Sequence, residues 1–161
     1  MKNEKLLLKV RRGIDSMPQD FSIRKLSCFD FFASTRSFLE YNFTDAISVE
    51  PHENPSAILH ISPRGFAAFL RLLMSEIYES REAFAKISSS NKDISVSIMK
   101  CGDFKSRKML IELAERSGFS FAEDEDALIF RTPITVTQEL FVFANTALEL
   151  INYLYEAFLH E

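Results

Sequence analysis

Residues 57–77 read AILHISPRGFAAFLRLLMSEI, and the stretch changes its hydrophobic period halfway along. Ala57–Ser62 is a short, largely apolar run of strand type. Ser62-Pro63 then reads as a helix start, with the serine hydroxyl capping exposed amides and the proline in a first turn that needs no amide hydrogen from it. From there Phe66, Phe69, Leu70, Leu73 and Ile77 fall on one helical face, and Arg71, Glu79 and Arg81 are expected to face water. A strand that runs directly into an amphipathic helix places both kinds of element in one core.

The same two periods recur on either side. Toward the N-terminus, Ala46–Glu50 is a second short strand, joined to the first by a turn holding Pro51, Asn54 and Pro55. Before it, Phe31, Phe32, Thr35, Phe38 and Leu39 mark a helix from Phe29. Phe21–Ser27 alternates as a strand, with Phe21, Ile23 and Lys25 on one side. Leu7, Val10, Ile14 and Met17 form a helical stripe that Pro18 ends. Toward the C-terminus, Ser88-Ser89-Ser90-Asn91 reads as a loop and Asp93–Lys100 as a half-buried strand, Ile94, Val96 and Ile98 alternating with serines. Met109, Leu110, Leu113 and Ala114 make a helix closed by a left-handed cap at Gly118. Phe119–Ala122 and Ala127–Thr132 form a hairpin around Glu123–Asp126. Leu140, Ala144, Ala147, Ile151, Leu154 and Phe158 then step by four and three as a heptad seam.

Strands outnumber crossovers in this order, so the expected fold class is α+β: a two-layer sandwich of a mixed sheet with helices on one face, plus extra helices at both ends. One compact domain is expected, made of an N-terminal helix (1–18), a central sandwich (19–134) and a C-terminal helix (135–161). The C-terminal seam has two readings, packing within the domain or a helical interface between two copies. The leading stripe would add to the second.

Composition narrows the function classes. The 161 residues are 47% hydrophobic with formal net charge −4, which gives no broad basic face and argues against nucleic acid as a partner. Cys28 and Cys101 are too few for a disulfide framework and form no CxxC pair. The three-residue apolar run ahead of Arg11-Arg12 does not make a signal peptide, and no apolar run is long enough to span a bilayer, so a cytoplasmic protein is expected. Gly13, Gly65, Gly102 and Gly118 lie far apart, whereas phosphate-cradling loops need clustered glycines. His52, His60 and His160 share no metal-ligand spacing and complete no nucleophilic triad. No catalytic or metal residue is assigned.

The order and texture resemble the catalytic domain of histidine kinases and their GHKL-type ATPase relatives, over roughly Phe21 to Ile134. Ile58–Arg64 looks like the strand and turn before that family's first ATP-site helix, and Phe69–Ile77 like the helix itself. Ile94–Gly102 looks like the strand entering the magnesium and adenine loop. Leu110–Gly118 looks like the last helix, and Ala127–Ile134 like the closing strand, ending at Pro133. Leu6–Asp15 resembles the tail of a dimerisation helix.

The family's functional motifs are largely replaced. Where the resemblance implies an asparagine holding magnesium, this chain has Glu76. Met99–Asp103 keeps only Gly102 of the adenine loop, and Lys100 stands about where an aspartate would accept from the adenine amino group. The glycine-rich lid is missing, since the chain passes from Asp103 almost directly into the helix at Lys108. The leading helix lacks a phosphoacceptor histidine. What the resemblance implies is thus a degenerate domain: a vestigial pocket at Glu76, Gly102 and Asp103, no cofactor, no autokinase activity, and a signalling role through a protein partner on the sheet's open face or on the helix at Phe66–Ser80. A homodimer through the terminal helices belongs to this reading. The alternative is a functional domain binding ATP and magnesium, as in a sensor kinase or a small anti-sigma-type kinase.

Overall fold

The computed structural model describes residues 21–41, 45–50, 57–125, 127–136 and 144–159. Its sheet is organised by the longest strand, β7 (Ala127–Val136). β5 (Asp93–Met99) runs along one edge of β7, pairing Asp93 with Pro133 through Met99 with Ala127. β6 (Ser120–Asp124) takes the first half of the other edge, and β3 (Ala57–Ile61) takes its last three residues. Beyond these lie β1 (Arg24–Ser27) on β3, and β4 (Phe84–Ser89) followed by β2 (Ile47–Val49) on the β5 side. The β2–β4 pair is parallel and the others antiparallel, so the sheet is mixed. The fold is α+β, as expected.

Alternation fixes which face is covered. Ile94, Val96 and Ile98 of β5, Ala85 and Ile87 of β4, and Leu128 and Phe130 of β7 are all buried on one side. On the opposite side Phe84 and Met99, paired across the strands, remain 44% and 38% exposed. Helices cover the inner face: α1 (Cys28–Tyr41), α2 (Pro63–Ser80) and α3 (Arg107–Arg116). Phe69 of α2 meets Phe130 edge-on at 5.2 Å between ring centres, and Phe66 meets Phe31 of α1 at 4.8 Å. α4 (Ala144–Leu159) lies over α1 and α2 and reaches β1.

The helix ends follow local chemistry. Ser62 caps α2 by accepting from the Gly65 amide at 3.0 Å, with Pro63 in the first turn. Ser27 caps α1 in the same way, accepting from the Asp30 amide at 3.1 Å. After α3, Gly118 adopts a φ of 109°, and a side chain there would press on the His60 carbonyl oxygen.

Four expectations are corrected. Phe84–Ser89 is a strand the sequence reading left unassigned, and Ser88 and Ser89, expected in a loop, are its last residues. Its inward side chains are only Ala85 and Ile87, too few to announce it. The turn is made by Ser90, whose Oγ accepts from the Lys92 and Asp93 amides. β1 is Arg24–Ser27 rather than Phe21–Ser27, and its buried residue is Leu26, paired with Leu59 over the core, while Ile23 and Lys25 are exposed. Arg71 is buried, at 2% exposure, because α4 covers that side of α2. On α4, Leu150 and Leu154 are buried and Ile151 is 37% exposed. A single face seated on α2 selects an i, i+4 pair rather than the heptad alternation. The stripe at Leu7–Met17, the turn at Pro51–Pro55, His52, His160, Leu140 and the Phe158 side chain lie outside the described residues.

Candidate functional site

The connection from β5 to α3, residues 100–106, lies against the C-terminal half of α2. Glu76 and Ser80 stand one helical turn apart on α2, and both reach this connection. Glu76 is 2% exposed. Its Oε2 accepts from the Lys105 amide at 3.2 Å and its Oε1 from the Ser106 amide at 2.9 Å. Ser80 Oγ donates to Asp103 Oδ1 at 2.9 Å.

Ser106 is the residue ahead of α3, but its own side chain makes no capping bond to the helix. Glu76 supplies the cap from another helix. A carboxylate there meets amide hydrogens that no helical carbonyl serves, at the positive end of the helix dipole. Charge-assisted bonds of this kind are stronger than neutral ones, so the carboxylate clamps the connection onto α2.

Of the three predicted site residues, Gly102 and Asp103 lie in the connection and Glu76 meets it from α2, each in a different role. Glu76 is buried and bound to main chain. Asp103 is exposed and tied to Ser80. Gly102 is exposed at the tip, where an added methyl group would meet nothing within 4 Å. Lys100 ends β5 with φ 54°, and Arg81 ends α2 with φ 66°. Left-handed backbone is costly for residues with side chains. Cys101 is buried behind the tip, its Sγ 3.8 Å from the Ile98 carbonyl oxygen. On the far side, Arg107 pairs with Glu123 of β6.

Sequence reading set Ser80 beside Glu76 and missed Lys105 and Ser106. The i, i+4 spacing of Glu76 and Ser80 was the one available signal. The amide donors carry none, because any residue supplies an amide. Among the described residues no three His, Cys, Asp or Glu side chains group to hold a metal ion, and no helix is long and apolar enough to cross a membrane.

No protein-family model and no curated protein matches the chain. Solved structures similar to it include the cytoplasmic segment of histidine kinase QseC, at 10% identity and TM-score 0.40, covering 84% of this chain and 95% of that one. Acinetobacter baumannii histidine kinase AdeS is similar at 11% identity and TM-score 0.43, covering 85% of this chain and 77% of that one. Erythrobacter litoralis EL346 blue-light activated histidine kinase is similar at 12% identity and TM-score 0.32, covering 84% of this chain and 53% of that one.

Proposed function

We propose that this chain is a non-catalytic regulatory binding module of histidine-kinase-like architecture, acting in signalling through protein contacts. The observation that carries the reading is the engagement of Glu76. In the resemblance this position serves magnesium; here its two oxygens accept from the Lys105 and Ser106 amides. The residues suit ATP with magnesium poorly. A buried carboxylate committed to main chain would repel phosphates, Lys100 accepts no hydrogen bond from an adenine amino group, and residues 100–106 run straight into α3 without room for a lid.

The reading includes a homodimer through the terminal helices, supported by the apolar Leu148 and Ile151, which are exposed on α4 at 57% and 37%. A monomer mass in light scattering would remove that part. The main test is calorimetric titration with magnesium-ATP and magnesium-ADP, alongside thermal unfolding. Expected are no heat and no shift in Tm at millimolar nucleotide. Binding at micromolar affinity, about −8 kcal/mol, overturns the proposal and favours the ATP-binding alternative.

A further inference from the structure

We propose that α4 is a releasable helix, and that the groove it covers on α2 receives a partner protein's helix of the same chemistry: amphipathic, acidic and without cations. The proposal rests on reading this chain as a binding module, and it names the surface through which it binds.

Charge complementarity is the first observation. α2 carries two arginines, Arg64 and Arg71, two turns apart, and α4 engages both. The Arg64 guanidinium lies over the Tyr153 ring, 4.4 Å from its centre, and Arg71 Nε donates to the Leu154 carbonyl oxygen at 3.0 Å. From β1, Arg24 pairs with Glu149 at 3.2 Å. α4 has no Lys or Arg, and its two acids, Glu149 and Glu156, both act on arginines of this seat.

The second observation is that α4 fits its seat incompletely. Arg71 is buried, yet Nη2 has no hydrogen-bond partner among the described residues, and neither has Oε2 of Glu156. A guanidinium fork is satisfied best by a carboxylate that takes two parallel bonds. The carbonyl of Leu154 takes only one. A buried cation with half its fork unengaged penalises the docked state. Among the described side chains of α4, Leu150 and Leu154 are buried and Ala147, Tyr153 and Tyr155 pack partly against the core, while Leu148 and Ile151 face outward. A helix placing a carboxylate where the Leu154 carbonyl now sits would satisfy Arg71 better than α4 does. Phe66 and Phe69 turn the opposite side of α2 into the core, where their ring contacts hold it.

Two measurements test the proposal. In amide hydrogen exchange on the unaltered chain, α4 should open while β5 and β7 stay protected. Exchange of α4 only together with the sheet overturns it. In the second, a labelled peptide of residues 144–159 is titrated onto the unaltered chain and onto a Leu154→Asp variant whose own helix is ejected. Binding to the variant should be about tenfold tighter or better, and a peptide with Glu149→Lys and Glu156→Lys should not bind. Absence of binding, indifference to charge reversal, or global unfolding of the variant each overturns the proposal. Nucleotide binding would remove the functional reading and leave these outcomes standing.

Discussion

At the scale of single residues, Glu76 shows what sequence legibility means. Its position in a helix is clear from the periodicity around it, and its partners are not. Two main-chain amides, one of them buried, depend on its carboxylate. Hydrogen bonds to a charged group contribute about 1.5–3 kcal/mol, and a buried donor left unmade costs a similar amount. Glu76→Ala should therefore lower stability by about 2–3 kcal/mol in urea unfolding; a change under about 0.5 kcal/mol, the range of ordinary surface substitutions, would show that the clamp is unimportant.

Two glycines make a matched comparison. At Gly65 an added Cβ would lie 2.5 Å from Ser117 Oγ and 2.9 Å from Phe21 Cδ1. Ser117 Oγ is itself held by donating to the Leu113 carbonyl, so it does not yield freely. The gain in helix propensity for Gly65→Ala is about 1 kcal/mol, and overpacking costs about 1–3 kcal/mol, so a net loss is expected. Gly102→Ala meets open space in ordinary backbone and should add about 0.4–1 kcal/mol. Urea midpoints for the pair check both signs.

At the scale of elements, α2 and α4 decide each other. A helix with polar residues on one side ordinarily shows that side to water. Arg71 breaks the rule because a second helix arrives from the far end of the chain. Burial pushes its guanidinium down to about 10, with Glu156 acting the other way, so it stays charged at neutral pH. Replacing a buried, half-engaged cation by an apolar group of similar size is often neutral or stabilising. Arg71→Met should thus hold stability within about 1 kcal/mol or raise it, while Arg71→Ala, which also opens a cavity, should lose about 2 kcal/mol or more. Equal losses in both would mean that the bond to Leu154 outweighs desolvation. β4 was missed at this same scale, because a strand with only two inward residues, Ala85 and Ile87, and a serine-rich end has little periodicity of its own.

At the scale of the whole molecule, the core sets the response to pH. Cys28 is fully buried at the start of α1, and burial pushes its thiol from 9.0 up to about 12. The unfolded chain releases this proton near pH 9, and the native chain holds it until about pH 12. The stabilisation is complete below pH 9 and declines as pH rises through that window, at up to about 1.4 kcal/mol per pH unit. Urea stability measured at pH 8, 9.5 and 10.5 should fall more steeply for the native sequence than for Cys28→Ala. Parallel slopes would refute the assignment.

What the sequence determined by itself is local. Helical and strand periods, the caps at Ser62 and Gly118, and the mixed α+β class all depend on residues a few positions apart, whose spacing imposes the pattern in any context. The tertiary structure alone decided that the Arg71 side of α2 is buried as well, which side of β1 faces the core and the fate of Glu76. Glu76 meets the Ser106 amide 30 positions away, and Arg71 meets the Leu154 carbonyl 83 positions away. Main-chain groups carry no residue identity, so the donors and acceptors that settled those side chains left no mark in the sequence to be read.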